Sequence, residues 1–216
     1  THQPGGGFLP VSDRIILFDL GNVILEWSPV RLYRKIFPSA AEAEAFCRDV
    51  CNMAWHVEHD RGRTFAEGAR LLKQDFPHYA DEIDAWHGRW FEMFDGYVPG
   101  VLPLMGRLEE AGYPLYALSN MSHEVWPETR ERFAMLKIFR DAVISGAEGL
   151  IKPDRAIYDV AHERMGRPDR ASVFFIDDSQ KNIDAARDFG FRAHQFTTAQ
   201  ALEAALVEEG ILQPAT

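Results

Sequence analysis

Three short apolar runs, each ending at a polar residue, constrain the fold of this chain more than any other feature. They occupy residues 15–18, 115–118 and 173–176, and they run into Asp19, Ser119 and Asp177. A continuous apolar run of this length is typical of a strand buried on both faces. In open α/β sheets, functional groups gather beyond the carboxyl ends of such strands. The pattern therefore predicts a parallel sheet with polar groups along one edge.

The second half of the chain alternates between helix-like and strand-like segments. Apolar periodicity predicts helices at residues 101–110, 123–132, 155–165, 180–189 and 198–209. Between them, strands are predicted at residues 113–119, 141–144, 173–177 and 192–196. This alternation is typical of the α/β class, in which a doubly wound parallel sheet carries helices on both faces.

An aromatic-rich insert interrupts this pattern after the first strand. Its periodicity predicts four helices, at residues 29–37, 40–53, 64–76 and 81–94, with a capping box formed by Thr64 and Glu67. Between the second and third helices, residues 55–63 carry many ionisable groups and are expected to form a loop. We therefore expect an α/β core at residues 13–27 and 97–216, a helical insert at residues 28–96, and a flexible leader at residues 1–12.

Composition narrows the kind of partner. The chain has 216 residues and a net charge of −10, which argues against nucleic acid or an anionic membrane as its main partner. It contains no apolar run of transmembrane length. Its two cysteines, Cys47 and Cys51, have the spacing of two thiols on a helix and favour a reducing, cytoplasmic setting. We expect a small-molecule ligand and a monomer or homodimer.

Each polar strand end has an ordinary interpretation when taken alone. Asp19 could be a helix cap, Lys152 before Pro153 a surface turn, and the pair Asp177 and Asp178 an acidic first turn of a helix. Their order is more informative than any one of them. An acid, a hydroxyl, a lysine and an acid pair follow one another, each at a strand end or helix start.

That order resembles the haloacid dehalogenase (HAD) superfamily, whose members are mostly Mg²⁺-dependent phosphatases with an aspartate nucleophile. The resemblance is carried by FDLGNV at residues 18–23, LSN at 118–120, KP at 152–153 and IDDSQKN at 176–182. It extends over residues 14–196. It implies a Rossmann-like core with a helical cap, residues 28–96, inserted after the first strand to close over the site.

The resemblance also implies roles for individual residues. Asp19 would attack phosphorus and form an aspartyl-phosphate intermediate. Ser119 and Asn120 would bind the phosphoryl oxygens, and Lys152 would neutralise charge developing on them. Mg²⁺ would be held by Asp19, Asp178 and the carbonyl of Gly21, with Asp177 as a further ligand or a partner through water.

Gly21 departs from the commonest motif of the superfamily, which carries a second aspartate at this position as the general acid and base. The same DLGN form occurs in a branch that includes sugar-phosphate phosphatases of the glucose-1-phosphate type. The group that moves the proton therefore stays open, and the candidates in the cap are His56, Glu58, His59 and Asp60. Substrate contacts are expected from Asn22, Arg61, His56 and Trp27. The aromatic residues Trp86, Trp90, Phe91 and Phe94 are expected to form the cap core.

The main hypothesis is a Mg²⁺-dependent phosphomonoester hydrolase acting on a small soluble phosphate, with a sugar phosphate as the expected class. A 2-haloacid dehalogenase is the first alternative, because it would use the same aspartate without metal. Two neighbouring carboxylates near Asp19 would then repel one another without a cation. A binding module that lost activity when the second acid became Gly21 is the second alternative.

Overall fold

The computed structural model describes residues 13–216, so the predicted leader at residues 1–12 lies outside the described residues. The described chain forms seven strands: β1 (Ile15–Phe18), β2 (Leu25–Trp27), β3 (Phe94–Tyr97), β4 (Leu115–Ser119), β5 (Ala142–Ile144), β6 (Val173–Asp177) and β7 (Arg192–Gln195). Five of them form a parallel sheet in the order β5-β4-β1-β6-β7. The three strands with polar ends are thus neighbours at the centre of the sheet.

Eleven α-helices accompany these strands in the described residues. They are α1 (Pro29–Tyr33), α2 (Ala40–Asp49), α3 (Met53–Asp60), α4 (Phe65–Asp75), α5 (Ala80–Gly88), α6 (Val101–Glu110), α7 (Trp126–Arg132), α8 (Ser145–Glu148), α9 (Arg155–Arg164), α10 (Gln180–Phe189) and α11 (Ala199–Glu208). Short 3₁₀ turns lie at Pro77–Tyr79, Trp90–Met93, Ala134–Ile138 and Arg170–Ser172. None of the helices in residues 13–216 is long and apolar enough to cross a bilayer.

The sheet is covered on both faces, as the apolar runs predict. Alternate residues of β1 belong to different hydrophobic clusters, because successive side chains of a strand point to opposite faces. Ile16 and Phe18 lie in a cluster that contains Leu104 of α6 and Leu202 of α11. Ile15 and Leu17 lie in a second cluster, which includes residues of α9 and α10. The predicted α/β class with a doubly wound parallel sheet is confirmed.

Two short strands of the structure were absent from the sequence prediction. β2 and β3 form an antiparallel ribbon at the base of the inserted helices, and Leu25 is paired with Tyr97. The ribbon is not a hairpin, since about seventy residues separate its strands along the chain. Phe94, the first residue of β3, is the last residue of the helix that periodicity predicts at residues 81–94. That helix instead ends at Gly88, followed by a 3₁₀ turn at Trp90–Met93.

The expected loop at residues 55–63 is wrong, because α3 occupies Met53–Asp60. Asn52 caps the helix, and its Oδ1 accepts a hydrogen bond of 2.9 Å from the amide of Trp55. The ionisable residues of α3 do not all face solvent, since His56, His59 and Asp60 are buried. Burial among the aromatic residues of the cap thus stabilises α3, although the many ionisable residues of this segment predict a loop. The capping contact of Thr64 with the amide of Glu67 is present at the start of α4.

Candidate active site

The polar ends of β1, β4 and β6 meet at one edge of the sheet. Asp19 follows β1 directly, while Ser119 and Asp177 are the last residues of β4 and β6. The amide of Asp19 donates a 2.8 Å hydrogen bond to the carbonyl of Ile176, which extends the pairing of β1 with β6 to this edge. All three side chains are buried. The strand register therefore holds an acid, a hydroxyl and a second acid side by side.

Lys152 enters this group from the loop before α9. Its Nζ donates to Asp19 Oδ1 at 2.9 Å, to Asp177 Oδ2 at 2.7 Å and to the carbonyl of Leu118 at 2.9 Å. These three acceptors use all the protons of the ammonium group. The Lys152 side chain is 1% exposed, so its charge is held almost out of reach of water.

The side chain of Asn120 holds the backbone of Lys152 in place. Its Nδ2 donates to the Lys152 carbonyl at 3.0 Å, and its Oδ1 accepts from the Lys152 amide at 2.8 Å. This pair of bonds ties the loop after β4 to the loop before α9. Both polar atoms of the Asn120 side chain therefore have hydrogen-bond partners within the protein.

Asp177 is fixed by several donors besides Lys152. Its Oδ1 accepts from the amide of Ser179 at 2.8 Å, and Asn182 Nδ2 lies 3.2 Å from Oδ1 and 3.1 Å from Oδ2. The side chain is fully buried. Asn182, in the first turn of α10, is a site residue for which sequence reasoning predicted no role. The signal available was its position in the polar turn five residues after Asp177.

The electrostatics of the site reflect an excess of negative charge. Burial and the neighbouring Asp177 carboxylate raise the pKa of Asp19 to about 8, against the opposing charge of Lys152. Burial also raises the pKa of Asp178, and Asp177 adds to the rise. For Lys152, burial disfavours the charged form, but the two carboxylates in contact outweigh it and hold the pKa above its usual value. Lys152 is thus charged, and a single cation faces three acids.

This arrangement fits a divalent cation. Asp19, Asp177 and Asp178 each offer a carboxylate oxygen, and the three oxygens lie within 4.8 Å of one another. Hard oxygen donors of this kind are the ligands that Mg²⁺ prefers. When all three carboxyl groups are ionised, Lys152 leaves two negative charges in excess, which one divalent ion would balance. Asp178 is exposed whereas Asp177 is buried and fully hydrogen-bonded, so Asp19 and Asp178 are the freer of the three.

A small cavity lies between this edge of the sheet and the inserted helices. Its volume is about 60 Å³, and its walls come from both the core and the cap. The core contributes Gly21, Leu25, Ser119, Asn120 and Met121, and the other walls are Trp27, His56, Asp60, Trp90 and Phe94. The structure therefore brings Trp27 and His56, two of the four predicted substrate contacts, into the same cavity as Ser119 and Asn120.

The other two predicted substrate contacts lie elsewhere. Asn22 is exposed, and its Oδ1 accepts a 3.0 Å hydrogen bond from the amide of Trp27, which shapes the turn after β1. The Arg61 side chain is 45% exposed and lies 3.7 Å from Asp154 and 3.8 Å from Glu58. Neither is among the residues lining the cavity.

Trp90 and Phe94 have a double role that their helical spacing did not reveal. The sequence predicted that both belong to the cap core, and Trp90 is indeed buried, in contact with Trp86. Both also line the cavity. Periodicity shows that a residue faces the interior, but it does not distinguish a packed interior from a cavity wall.

Several residues of the cavity wall carry buried polar atoms without a hydrogen-bond partner. They are Trp27 Nε1, His56 Nδ1, Asp60 Oδ1 and Trp90 Nε1. Buried polar atoms in folded proteins nearly always have partners, so a group of exceptions around one cavity calls for an explanation. A polar ligand or ordered water in the cavity would supply those partners.

The fold is an α/β fold whose parallel sheet brings three carboxyl groups and a buried lysine together at one edge. Residues 14–190 match the haloacid dehalogenase-like hydrolase family, and the chain belongs to that family. The resemblance seen in the four motifs is thereby confirmed at the level of the superfamily.

Known members with different activities are similar to this chain. A phosphoglycolate phosphatase of Mesorhizobium japonicum is 27% identical over 196 residues, which cover 83% of this chain and 81% of that enzyme. An (S)-2-haloacid dehalogenase of Pseudomonas putida is 32% identical over 85 residues, which cover 39% of this chain and only 37% of the dehalogenase.

A solved structure supports the fold. A HAD family enzyme of Bacteroides thetaiotaomicron, crystallised with magnesium and inorganic phosphate, superposes with a TM-score of 0.66 at 24% identity. The superposition covers 86% of this chain and 94% of that enzyme.

Proposed function

We propose that this protein is a Mg²⁺-dependent phosphomonoester hydrolase that acts on a small phosphate ester through an aspartyl-phosphate intermediate. The observation that carries the proposal is the convergence of Asp19, Asp177 and Asp178 beside a single lysine. Three carboxylates at such short range repel one another, and a divalent cation removes that repulsion. Of the two sequence matches described above, the longer one is to a phosphatase, and it also supports this proposal.

In this proposal Asp19 is the nucleophile. Its carboxylate is held by the hydrogen bond from Lys152 at the end of β1, two residues before Gly21, which lines the cavity. An oxygen of Asp19 attacks phosphorus, the ester oxygen leaves, and water later attacks the same phosphorus to release inorganic phosphate. Ser119 and the main-chain amide of Asn120 border the cavity and would donate to the phosphoryl oxygens.

Asp19, Asp178 and the Gly21 carbonyl would hold the Mg²⁺, with Asp177 held behind them by Lys152 and Asn182. When bound, the ion would offset the repulsion between the Asp19 carboxylate and a phosphate dianion. Lys152 stays protonated in the buried site and therefore adds a fixed positive charge beside the reacting atoms. The net charge of −10 of the chain thus need not prevent binding of an anionic ester.

The cavity wall favours a leaving group with hydroxyl groups, because it carries buried polar atoms without a partner. The unpartnered indole N–H groups of Trp27 and Trp90 can each donate to a hydroxyl oxygen. We therefore propose a sugar phosphate as the substrate class, in a protein expected to be cytoplasmic.

A 2-haloacid dehalogenase is the second candidate, favoured by the match to the enzyme of Pseudomonas putida. Both activities would use Asp19 as the nucleophile. The dehalogenase proposal leaves the charges of Asp177 and Asp178 without a purpose, since that chemistry needs no cation. We therefore rank it below the phosphatase.

The test measures phosphate release from a panel of sugar phosphates, phosphoglycolate and an aryl phosphate, with Mg²⁺ and with chelator. We expect turnover that requires Mg²⁺ and is lost in Asp19→Asn, with an unchanged circular dichroism spectrum. Halide release from 2-chloropropionate without metal, together with no phosphate release, would instead support the dehalogenase.

A further inference from the structure

The proposed reaction needs a group that can give a proton to the departing ester oxygen and take one from water. Gly21, two residues after Asp19, lines the cavity but has no side chain. Lys152 directs its protons to three protein acceptors. The proton must therefore come from another residue that borders the cavity.

Asp60 occupies such a position. It is the last residue of α3, it lines the same cavity as Gly21 and Ser119, and it is 6% exposed. Its Oδ1 has no hydrogen-bond partner, and its Oδ2 lies 3.5 Å from Nε2 of His56. A buried carboxyl oxygen without a partner, on the wall of a cavity, is available to a ligand.

The packing around α3 restricts where this carboxyl can move. The ring of His56 stacks on the ring of Trp27, with 5.3 Å between the ring centroids. It also packs at a tilt against the ring of Trp86, with 5.1 Å between the centroids. Just beyond the helix, Gly62 has φ +116°, and a Cβ there would lie 3.2 Å from the carbonyl of Gly146 in α8. The end of α3 is thus closely packed against the core.

The other ionisable groups of α3 fit the task less well. The Glu58 side chain is 40% exposed and, like His59, is absent from the cavity wall. His56 borders the cavity, but burial, and then the nearby His59, lower its pKa to about 3, so it remains neutral and is a poor proton donor.

We propose that Asp60 is the catalytic acid and base of this enzyme, delivered from the cap. This inference rests on the proposed phosphatase function. In the first step an Asp19 oxygen bonds to phosphorus while the bond from phosphorus to the ester oxygen breaks, and the Asp60 proton passes to that oxygen. In the second step the Asp60 carboxylate takes a proton from water. The water oxygen then bonds to phosphorus, the bond to Asp19 breaks, and phosphate leaves with both aspartates restored.

The ionisation of Asp60 agrees with this geometry. Burial raises its pKa to about 7, although the charge of Lys152 acts in the opposite direction. A general acid and base works best when its pKa lies near the working pH. The carboxyl group can thus be found in either form near neutrality.

The decisive experiment compares two leaving groups in wild type and in Asp60→Asn. An alkyl alkoxide needs a proton to leave, whereas p-nitrophenolate leaves without one. With Mg²⁺ present, we expect the variant to release alcohol from an alkyl phosphate about 100-fold more slowly. Its pre-steady-state burst of p-nitrophenol should change far less. Asp75→Asn alters an exposed carboxylate that also ends a cap helix, and it should behave like wild type.

A second variant distinguishes the loss of the Asp60 carboxyl group from a structural effect of Asp60→Asn. A Cβ at Gly21 would meet no atom within 4 Å, so an aspartate there fits and can reach the same cavity. We expect Gly21→Asp, added to Asp60→Asn, to recover at least 10-fold of the lost alkyl phosphate activity.

The outcomes separate the two proposals. Equal losses on both esters without recovery in the double variant, or no loss on either ester, would overturn the role of Asp60 while leaving the phosphatase in place. A wild-type protein that hydrolyses neither ester with Mg²⁺ would overturn both.

Discussion

At the scale of single residues, Lys152 is expected to matter both for the stability of the fold and for the proposed reaction. It is the positive charge in contact with both Asp19 and Asp177, and its ammonium group is almost fully buried. A buried ion pair adds little net stability compared with an apolar pair, but removing one partner leaves an uncompensated charge. In the proposed mechanism, Lys152 would therefore serve the folded state as well as the transition state.

We predict that Lys152→Met lowers the free energy of unfolding by about 3 kcal/mol or more and abolishes turnover. The physical reason is that Asp177, fully buried, would lose its cationic partner. Urea unfolding measures the first effect and phosphate release the second. Lys137→Met is the control, since Lys137 pairs with Glu131 on the surface and its loss should change neither quantity. Unchanged stability of the Lys152 variant would contradict the buried-pair account.

At the scale of elements, the short helix α8 positions the loop after β4. The amide of Gly146 donates to the Met121 carbonyl at 3.0 Å, and the Ser145 hydroxyl lies 2.9 Å from the Met121 amide. A Cβ on Gly146 would lie 2.6 Å from the backbone nitrogen of His123. The helix and the loop therefore approach each other as closely as a glycine allows.

Gly146→Ala should force this loop away from α8 and disturb Ser119 and Asn120, which precede it. We expect a loss of about 1–3 kcal/mol in unfolding free energy and a lower rate of phosphate release. Gly106→Ala in α6 is the matched control, because a Cβ there meets nothing within 4 Å. It should leave activity intact and stabilise the protein by about 0.5–1 kcal/mol. Wild-type stability in Gly146→Ala would show that the loop moves without cost.

At the scale of the whole molecule, the proposed cation site links distant parts of the chain. Asp19 follows β1 and Asp178 follows β6, while the cap reaches the core through a 2.7 Å hydrogen bond from the Phe65 amide to Glu124. A ligand that binds only the folded state stabilises the entire fold, by about 2.7 kcal/mol at a hundredfold excess over its dissociation constant.

Saturating Mg²⁺ should therefore raise the melting temperature of the wild type by about 5 °C or more. In Asp178→Asn most of this increase should disappear, since a ligand and a negative charge are lost. Differential scanning calorimetry with Mg²⁺ and with chelator measures both. Asp188→Asn, which changes an exposed carboxylate of α10, should keep the full increase. An equal increase in Asp178→Asn would exclude Asp178 as a ligand.

Much of the core could be read from the sequence because its signals are local. The bounds of α6, α10 and β6 agree with the predicted segments, since period and turn residues specify them within a few positions. The β2–β3 ribbon could not be read in this way. Its strands are short and far apart along the chain, so only tertiary packing selects their pairing.

The same division runs through the site. The sequence by itself determined that Asp19, Ser119 and Asp177 lie together, because parallel strands place their carboxyl ends at one edge. Only the tertiary structure decided which cap residues face them. In that structure His56 and Asp60 are buried among aromatic rings, whereas the Arg61 side chain is half exposed. Burial depends on contacts between segments remote in sequence, and the charge pattern of one segment does not contain that information.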